Sequence, residues 1–283
     1  MKRDLNFFQL TFSLVLPALF LAGCSGGCGS NKMAQSSAPR NETSNAIPAS
    51  TTAATSNAPA VAEATKATAA SISGKIILKG TPPSEHTLPM DATCGQLHAT
   101  PPTTRFYSVG DAGALADVFV AIKSGLNGKA FPPSEQPVLL DQLRCEYTPY
   151  VVGLQTGQKL LVRNSDPMMH NVHPVPKISG NKESNKAQMP KSKDYEFAFE
   201  NPEVFLTFQC NVHPWMFAYV GVVEHPFFAV SGKDGTFQLK NVPDGNYVIE
   251  ATHRKAGKQT KEVTVAHGAS TPIEITFEIT PSP

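Results

Sequence analysis

From Ser71 onward, short runs of Val, Ile, Phe and Tyr alternate with Gly, Pro and Asn, and no stretch carries a long apolar period of 3.6 residues. β-Branched and aromatic side chains fit a pleated, half-buried surface, whereas Gly, Pro and Asn punctuate it as turns. The pattern restricts the folded part to an all-β architecture of packed sheets. Strands are expected over 72–78, 117–123, 157–163, 194–200, 204–209 and 218–223. Residues 195–200, Tyr-Glu-Phe-Ala-Phe-Glu, place apolar side chains on one face and acidic ones mostly on the other. Roughly 210 residues suffice for a sizeable core, as one large domain or two smaller ones.

Residues before Ser71 read differently. Lys2 and Arg3 precede a mainly apolar run over 7–20, which is too short to cross a bilayer and ends in Leu21-Ala22-Gly23-Cys24. Residues 1–23 are therefore expected to be an export signal. The last four positions resemble a bacterial lipobox, which implies lipidation of Cys24 and a periplasm-facing, lipid-anchored place in the bacterial cell envelope. By the same resemblance, several acyl chains on Cys24 meet the need for more than one chain in stable anchoring. Ser25 in the next position favours the outer membrane. Residues 24–70 lack aromatic side chains and Leu, so they bury too little apolar surface to offset chain entropy. They are expected to be a disordered linker with a span of roughly 35–40 Å.

The candidate chemistry lies in Cys210-Asn211-Val212-His213-Pro214-Trp215-Met216, with Met169-His170-Asn171-Val172-His173 upstream. Two His nitrogens and one Cys sulfur in a plane, with a weak axial Met, form the ligand set of a blue-copper site. Cu(I) prefers sulfur-rich trigonal or tetrahedral surroundings, and Cu(II) prefers nitrogen and oxygen in a tetragonal array. His170, Cys210, His213 and Met216 would compromise between them, so gaining or losing an electron needs little rearrangement. All four positions would be filled by the protein, which argues against an enzyme with chemistry at the metal. Half of a zinc site is the competing reading of Cys-x2-His, but zinc wants further Cys or His at regular spacing. His173 points away from His170 in an extended segment and is expected beyond the ligands or at the surface. His86, His98, His225, His253 and His267 show no pattern of their own.

The order His…Cys-x2-His-x2-Met resembles the copper-binding half of a cupredoxin, and the short loop is similar to that of amicyanin. This resemblance implies a Greek-key β-sandwich holding one type 1 copper. It also implies that the Asn171 N–H donates to the Cys210 sulfur while the Asn171 side chain pins the loop. At Val212 the chain departs from amicyanin and plastocyanin, which carry Pro, so Cys210 can accept a second backbone bond. Pro214 and Trp215 would form an apolar rim around His213, the ligand nearest solvent and the expected exit for an electron.

Toward the C-terminus, Asp234-Gly235-Thr236-Phe237-Gln238-Leu239 and Pro243-Asp244-Gly245-Asn246-Tyr247 each set a turn beside a strand-like run. The pattern D-G-x-F-x-L…P-x-G-x-Y resembles the carboxypeptidase regulatory-like (transthyretin-like) β-sandwich, whose fold is shared by the middle domain of rhamnogalacturonan lyases. Such units serve as supports or as binding modules for carbohydrate or an envelope protein. The division expected is a copper-binding domain over 71–226 and a smaller β domain over 227–283. The alternative is that Ser71-Ile72-Ser73-Gly74 opens the C-terminal sandwich, so that 71–90 pairs with it and the copper module is inserted. Residues 71–255 also resemble a group of bacterial envelope proteins in which both units occur together. That likeness implies a fold and a metal site but no physiological role.

Cys94 and Cys145 remain inside the folded part, while Cys28 lies in the linker without an obvious duty. An oxidising compartment makes a disulfide the default for the pair, closing a loop of about 50 residues worth roughly 3–4 kcal/mol. A second metal site from Cys94 and His98 is the alternative. A formal net charge of +1 gives no reason to expect nucleic acid as a partner. The function expected is one-electron transfer with a redox partner protein, from a membrane tether at Cys24. The alternative is a copper-, carbohydrate- or partner-binding module without a redox role.

Overall fold

The computed structural model describes residues 70–266 and 269–279. The signal segment, Cys24, Cys28, linker residues 24–69 and His267 lie outside the described residues.

Strands β1 (Ser71–Lys79) and β2 (Phe119–Ser124) are separated by a long connection that holds one α-helical turn, α1 (Ala92–Gly95), and a 3-10 turn at Asp111–Gly113. There follow β3 (Val138–Leu143), β4 (Glu146–Thr148), β5 (Val151–Gln155), β6 (Leu160–Asn164), β7 (His170–Val175) and β8 (Lys186–Gln188). Next come β9 (Tyr195–Phe197), β10 (Glu203–Gln209) and β11 (Phe217–Val223). The last five are β12 (Phe228–Val230), β13 (Thr236–Leu239), β14 (Gly245–His253), β15 (Gly257–Val265) and β16 (Ser270–Glu278). The architecture is all-β, as the residue pattern requires.

These strands build two sandwiches. One stacks the sheet β13-β1-β16 against β12-β2-β14-β15, around a core that includes Ile72, Ile76, Val118, Val120, Phe237, Ile249 and Phe277. The other stacks β5-β11-β10-β7-β8 against β4-β3-β6-β9, around Leu140, Leu154, Leu160, Val162, Leu206, Phe208 and Val220. Alternation explains the faces: in β1, Ile72, Ile76 and Leu78 point inward while Lys79 ends exposed. Each fully buried Ile, Leu or Phe contributes roughly 1.5–3 kcal/mol through loss of apolar surface to water.

The hydrogen bonding departs from the expected boundary at 226/227. β1 runs parallel to β16 along its length and antiparallel to β13, and β2 pairs with both β12 and β14. Residues 71–79 and 119–124 thus belong with the C-terminal strands, and β3 to β11 form a sandwich inserted between them. The physical reason is that a 57-residue C-terminal segment buries too little surface to be more than marginally stable alone, and Ile72, Ile76, Val120 and Ile122 enlarge its core. The segment 228–239 also spans two sheets. The turn at Gly232 to Gly235 forms, with Gly235 at φ +77°, but its two flanks separate, β12 joining β2 and β13 joining β1.

The sandwiches meet over a flat socket made by two facing glycines. Gly153 on β5 pairs with Gly221 on β11, and the rings of Phe119 and Phe228 lie on them. A Cβ at Gly221 would stand 2.5 Å from the Phe119 ring, and one at Gly153 would stand 2.6 Å from Phe228. Without side chains on this cross-strand pair, the two aromatic rings close directly on backbone. This contact joins the C-terminal sandwich to the sheet that carries the ligand loop.

Candidate metal centre

β7 and β10 are antiparallel neighbours with Gln209 opposite His173, so the start of β7 and the end of β10 lie at one edge of the inserted sandwich. His170 opens β7 and Cys210 follows β10 directly. The chain then turns back into β11 through a loop closed on itself. The Met216 N–H donates to the His213 carbonyl at 2.9 Å, and the Cys210 N–H donates to the Met216 carbonyl at 3.2 Å. This turn sets His213 beside Cys210 and returns Met216 to the same end of the core.

His170 Nδ1 and His213 Nδ1 are 2.9 Å apart, and Cys210 Sγ is 3.7 Å from His213 Nδ1. One donor atom from each of the three residues lies within 4.8 Å of the others. All are buried, with relative exposures of 0% for His170, 3% for Cys210 and 6% for His213, and Met216, in the same buried cluster as Cys210, is 1% exposed. His213 is thus more exposed than His170, and Asp91 Oδ2 lies 3.7 Å from its Nε2. Pro214 is exposed and Trp215 half-buried, with its ring 5.3 Å from that of His213. Val212 is 46% exposed at the outer tip of the loop.

The sulfur sits in a field of donors. Burial pushes the Cys210 thiol up, but bonds from the His170 side chain and from the Asn171, His213 and Val212 N–H groups more than offset it, and its pKa falls below the ordinary value. The Asn171 N–H is 3.2 Å from Sγ, while the Asn171 side chain donates to Asn185 Oδ1 at 2.9 Å. Burial also depresses His213, and the neighbouring His170 depresses it further. Burial works against a charge on His170, yet its bonds to Asp166 and Cys210 outweigh burial and raise its pKa.

Asp166 and Asp91 are residues that sequence reasoning missed. Asp166 Oδ2 accepts from His170 Nε2 at 2.9 Å, which leaves His170 Nδ1 with its lone pair facing the other donors. The two Nδ1 atoms face each other at a distance that one proton bridges in the metal-free chain, and a metal ion bound there would displace that proton. The signal for Asp166 was a carboxylate four residues before a candidate ligand His, on a short connection. For Asp91 no local signal exists, because its proximity to His213 comes from the fold.

Cys94 and Cys145 are joined in a disulfide. Their sulfurs also lie within 4.8 Å of a His213 nitrogen, but a disulfide offers no thiolate to a metal. His98 bonds the Arg144 carbonyl at 2.7 Å through Nε2. His173 turns outward to Asn211 and Glu183, and His225 bonds the Ile122 carbonyl. Among the described residues, Cys210 is the one free cysteine.

Copper fits this donor set. Two imidazole nitrogens and one thiol with a lowered pKa converge in a buried space, a carboxylate fixes one imidazole, and Met216 belongs to the same buried cluster as Cys210. Structural zinc would call for a fourth Cys or His, and none converges with these three among the described residues.

No protein-family profile and no curated protein sequence matches the chain. Solved structures resemble part of it. A copper-containing nitrite reductase from Thermus scotoductus is 19% identical over 36% of this chain, with a TM-score of 0.29, and the match spans 25% of that enzyme. An oxidised single-site mutant of amicyanin is 22% identical over 36% of this chain and 97% of its own length, with a TM-score of 0.28. A purple cupredoxin from Nitrosopumilus maritimus is 20% identical over 30% of this chain and 98% of its own, with a TM-score of 0.26. Likenesses at this level carry no weight for the chemistry of the chain, which stands on the side chains above.

Proposed function

We propose that this chain is a blue-copper protein that carries single electrons at the bacterial envelope, tethered to the membrane through Cys24 and passing the electron to a protein partner. The observation that carries this reading is the buried convergence of His170 Nδ1, His213 Nδ1 and Cys210 Sγ at one end of a β-sandwich. Copper held by these three and Met216 would supply a one-electron couple whose two oxidation states share one geometry. The protein does the rest. The closed 210–216 loop and the β7 edge keep the donors in place, Asn171 holds the thiolate, and burial excludes water. His213, the more exposed of the two imidazoles, is the route to the partner, and Pro214 and Trp215 shape the surface around it. With four side chains serving as ligands, no substrate position is left, so the reading is a carrier and not an enzyme. In voltammetry, the copper-loaded chain should take up and release one electron reversibly and keep its metal through repeated cycles. Bound copper that leaves on reduction would point to sequestration or delivery instead.

Val212 tunes this couple. Its N–H adjoins the Cys210 sulfur and helps to lower the thiol pKa, beside the Asn171 N–H that bonds Sγ at 3.2 Å. Hydrogen bonds to the thiolate stabilise its negative charge and weaken its donation to copper, which favours Cu(I) and raises the potential. Val212→Pro removes the donor at an exposed position. The variant is expected to keep its colour and show a lower midpoint potential by voltammetry. An unchanged or higher potential in an undistorted variant would remove Val212 from the account.

A further inference from the structure

β3 and β4 are joined by a two-residue turn, with Leu143 opposite Glu146 and with Arg144 at φ 57° and Cys145 at φ 56°. Such turns require positive φ at both central residues and usually take Asn or Gly there. Arg and Cys adopt this conformation only at an energetic cost, so the surroundings must hold them in it. Five contacts do so, one of them the bond between His98 Nε2 and the Arg144 carbonyl at 2.7 Å. The Arg144 N–H donates to Asp166 Oδ1 at 2.6 Å and the Cys145 N–H to Asp166 Oδ2 at 2.7 Å. Trp215 Nε1 donates to the Cys145 carbonyl at 3.0 Å, and the Cys145 side chain is bonded to Cys94.

The carboxylate at the centre of this arrangement is 2% exposed. The Asp166 N–H is itself held by Asn164 Oδ1 at 3.0 Å, and the Asn164 amide donates to the Met168 and Gln188 carbonyls. Asp166 is therefore fixed from both sides, with Oδ2 aimed at His170 Nε2.

We propose that Asp166 is the positioning residue of the metal centre. It locks His170 in the Nε2–H form and makes its Nδ1 a stronger donor, and the strained Arg144–Cys145 turn, anchored by the disulfide, presents it. This inference rests on the copper reading above. An imidazole bonded to a carboxylate is more electron-rich than one bonded to a neutral acceptor, so Asp166 stabilises Cu(II) over Cu(I). It thereby lowers the midpoint potential. Removing such a partner typically costs about 10–100-fold in metal affinity.

The test uses the full-length chain in two states. In the metal-free wild type, ¹⁵N NMR of the His170 ring should report a single Nε2–H form. Asp166→Asn, which keeps the size and one carbonyl oxygen, should weaken Cu(II) binding about 10–100-fold, affect Cu(I) binding less, and move the midpoint potential upward. A colourless copper-loaded wild type would overturn the copper reading itself. A blue wild type with an Nδ1–H form of His170 would overturn this inference and leave that reading standing. So would an Asp166→Asn variant whose potential and Cu(II) affinity match the wild type while only its melting temperature falls, since Asp166 would then serve the turn alone.

Discussion

Cys210→Ala is expected to abolish the visible colour of the copper-loaded chain. An intense band in the visible region requires a thiolate bound to Cu(II), and Cys210 is the free thiol among the described residues. It lies within reach of both imidazoles, and hydrogen bonds already favour its deprotonated form. The substitution removes one buried sulfur atom and should cost only about 1 kcal/mol of stability. Loss of colour would therefore not reflect unfolding, which circular dichroism can check. Met216→Leu is the paired control. It conserves volume, should cost less than about 1.5 kcal/mol, and removes a weak axial donor that stabilises Cu(II). Its band should persist while its potential rises. Absorption and electron paramagnetic resonance spectra of the two variants decide the matter: a blue Cys210→Ala protein would exclude Cys210 as the ligand.

Replacing Cys94 and Cys145 together by Ala should lower stability by about 3–4 kcal/mol, because the bridge closes a loop spanning 51 residues. For a folded part of this size that corresponds to a fall in melting temperature of roughly 10 °C. The colour should survive. The bonds from the turn to Asp166 come from the Arg144 and Cys145 backbone N–H groups, which Ala retains. Differential scanning calorimetry and absorption spectra on the same sample separate the two effects. An unchanged melting temperature would show that the bridge adds no stability. Loss of colour in folded protein would mean that the disulfide itself is needed to hold the metal centre.

Local chemistry was readable from the chain, and distant pairing was not. The expected strand over 204–209 lies within β10, and that over 218–223 lies within β11, since each carries its own alternation or apolar run. His170, Cys210, His213 and Met216 stood out because their side chains are rare and closely spaced. The partners of β1 were ambiguous, because a strand's pattern records which face is buried and not which strand lies beside it. The glycines at 153 and 221 looked like ordinary breakers, and their meaning emerges only when Phe119 and Phe228 are laid on them. Asp166 and Asp91 escaped notice for a similar reason. Carboxylates are common on surfaces, and only the turn after β3 and the N-cap of α1 turn these two toward the imidazoles.

Adding Cu(II) in steps to the purified metal-free chain, while recording its visible spectrum, tests the central claim most directly. An intense thiolate-to-copper band should grow linearly and saturate at one equivalent, as a site made by His170, Cys210, His213 and Met216 requires. Correctly folded protein that stays colourless past that point would contradict the account.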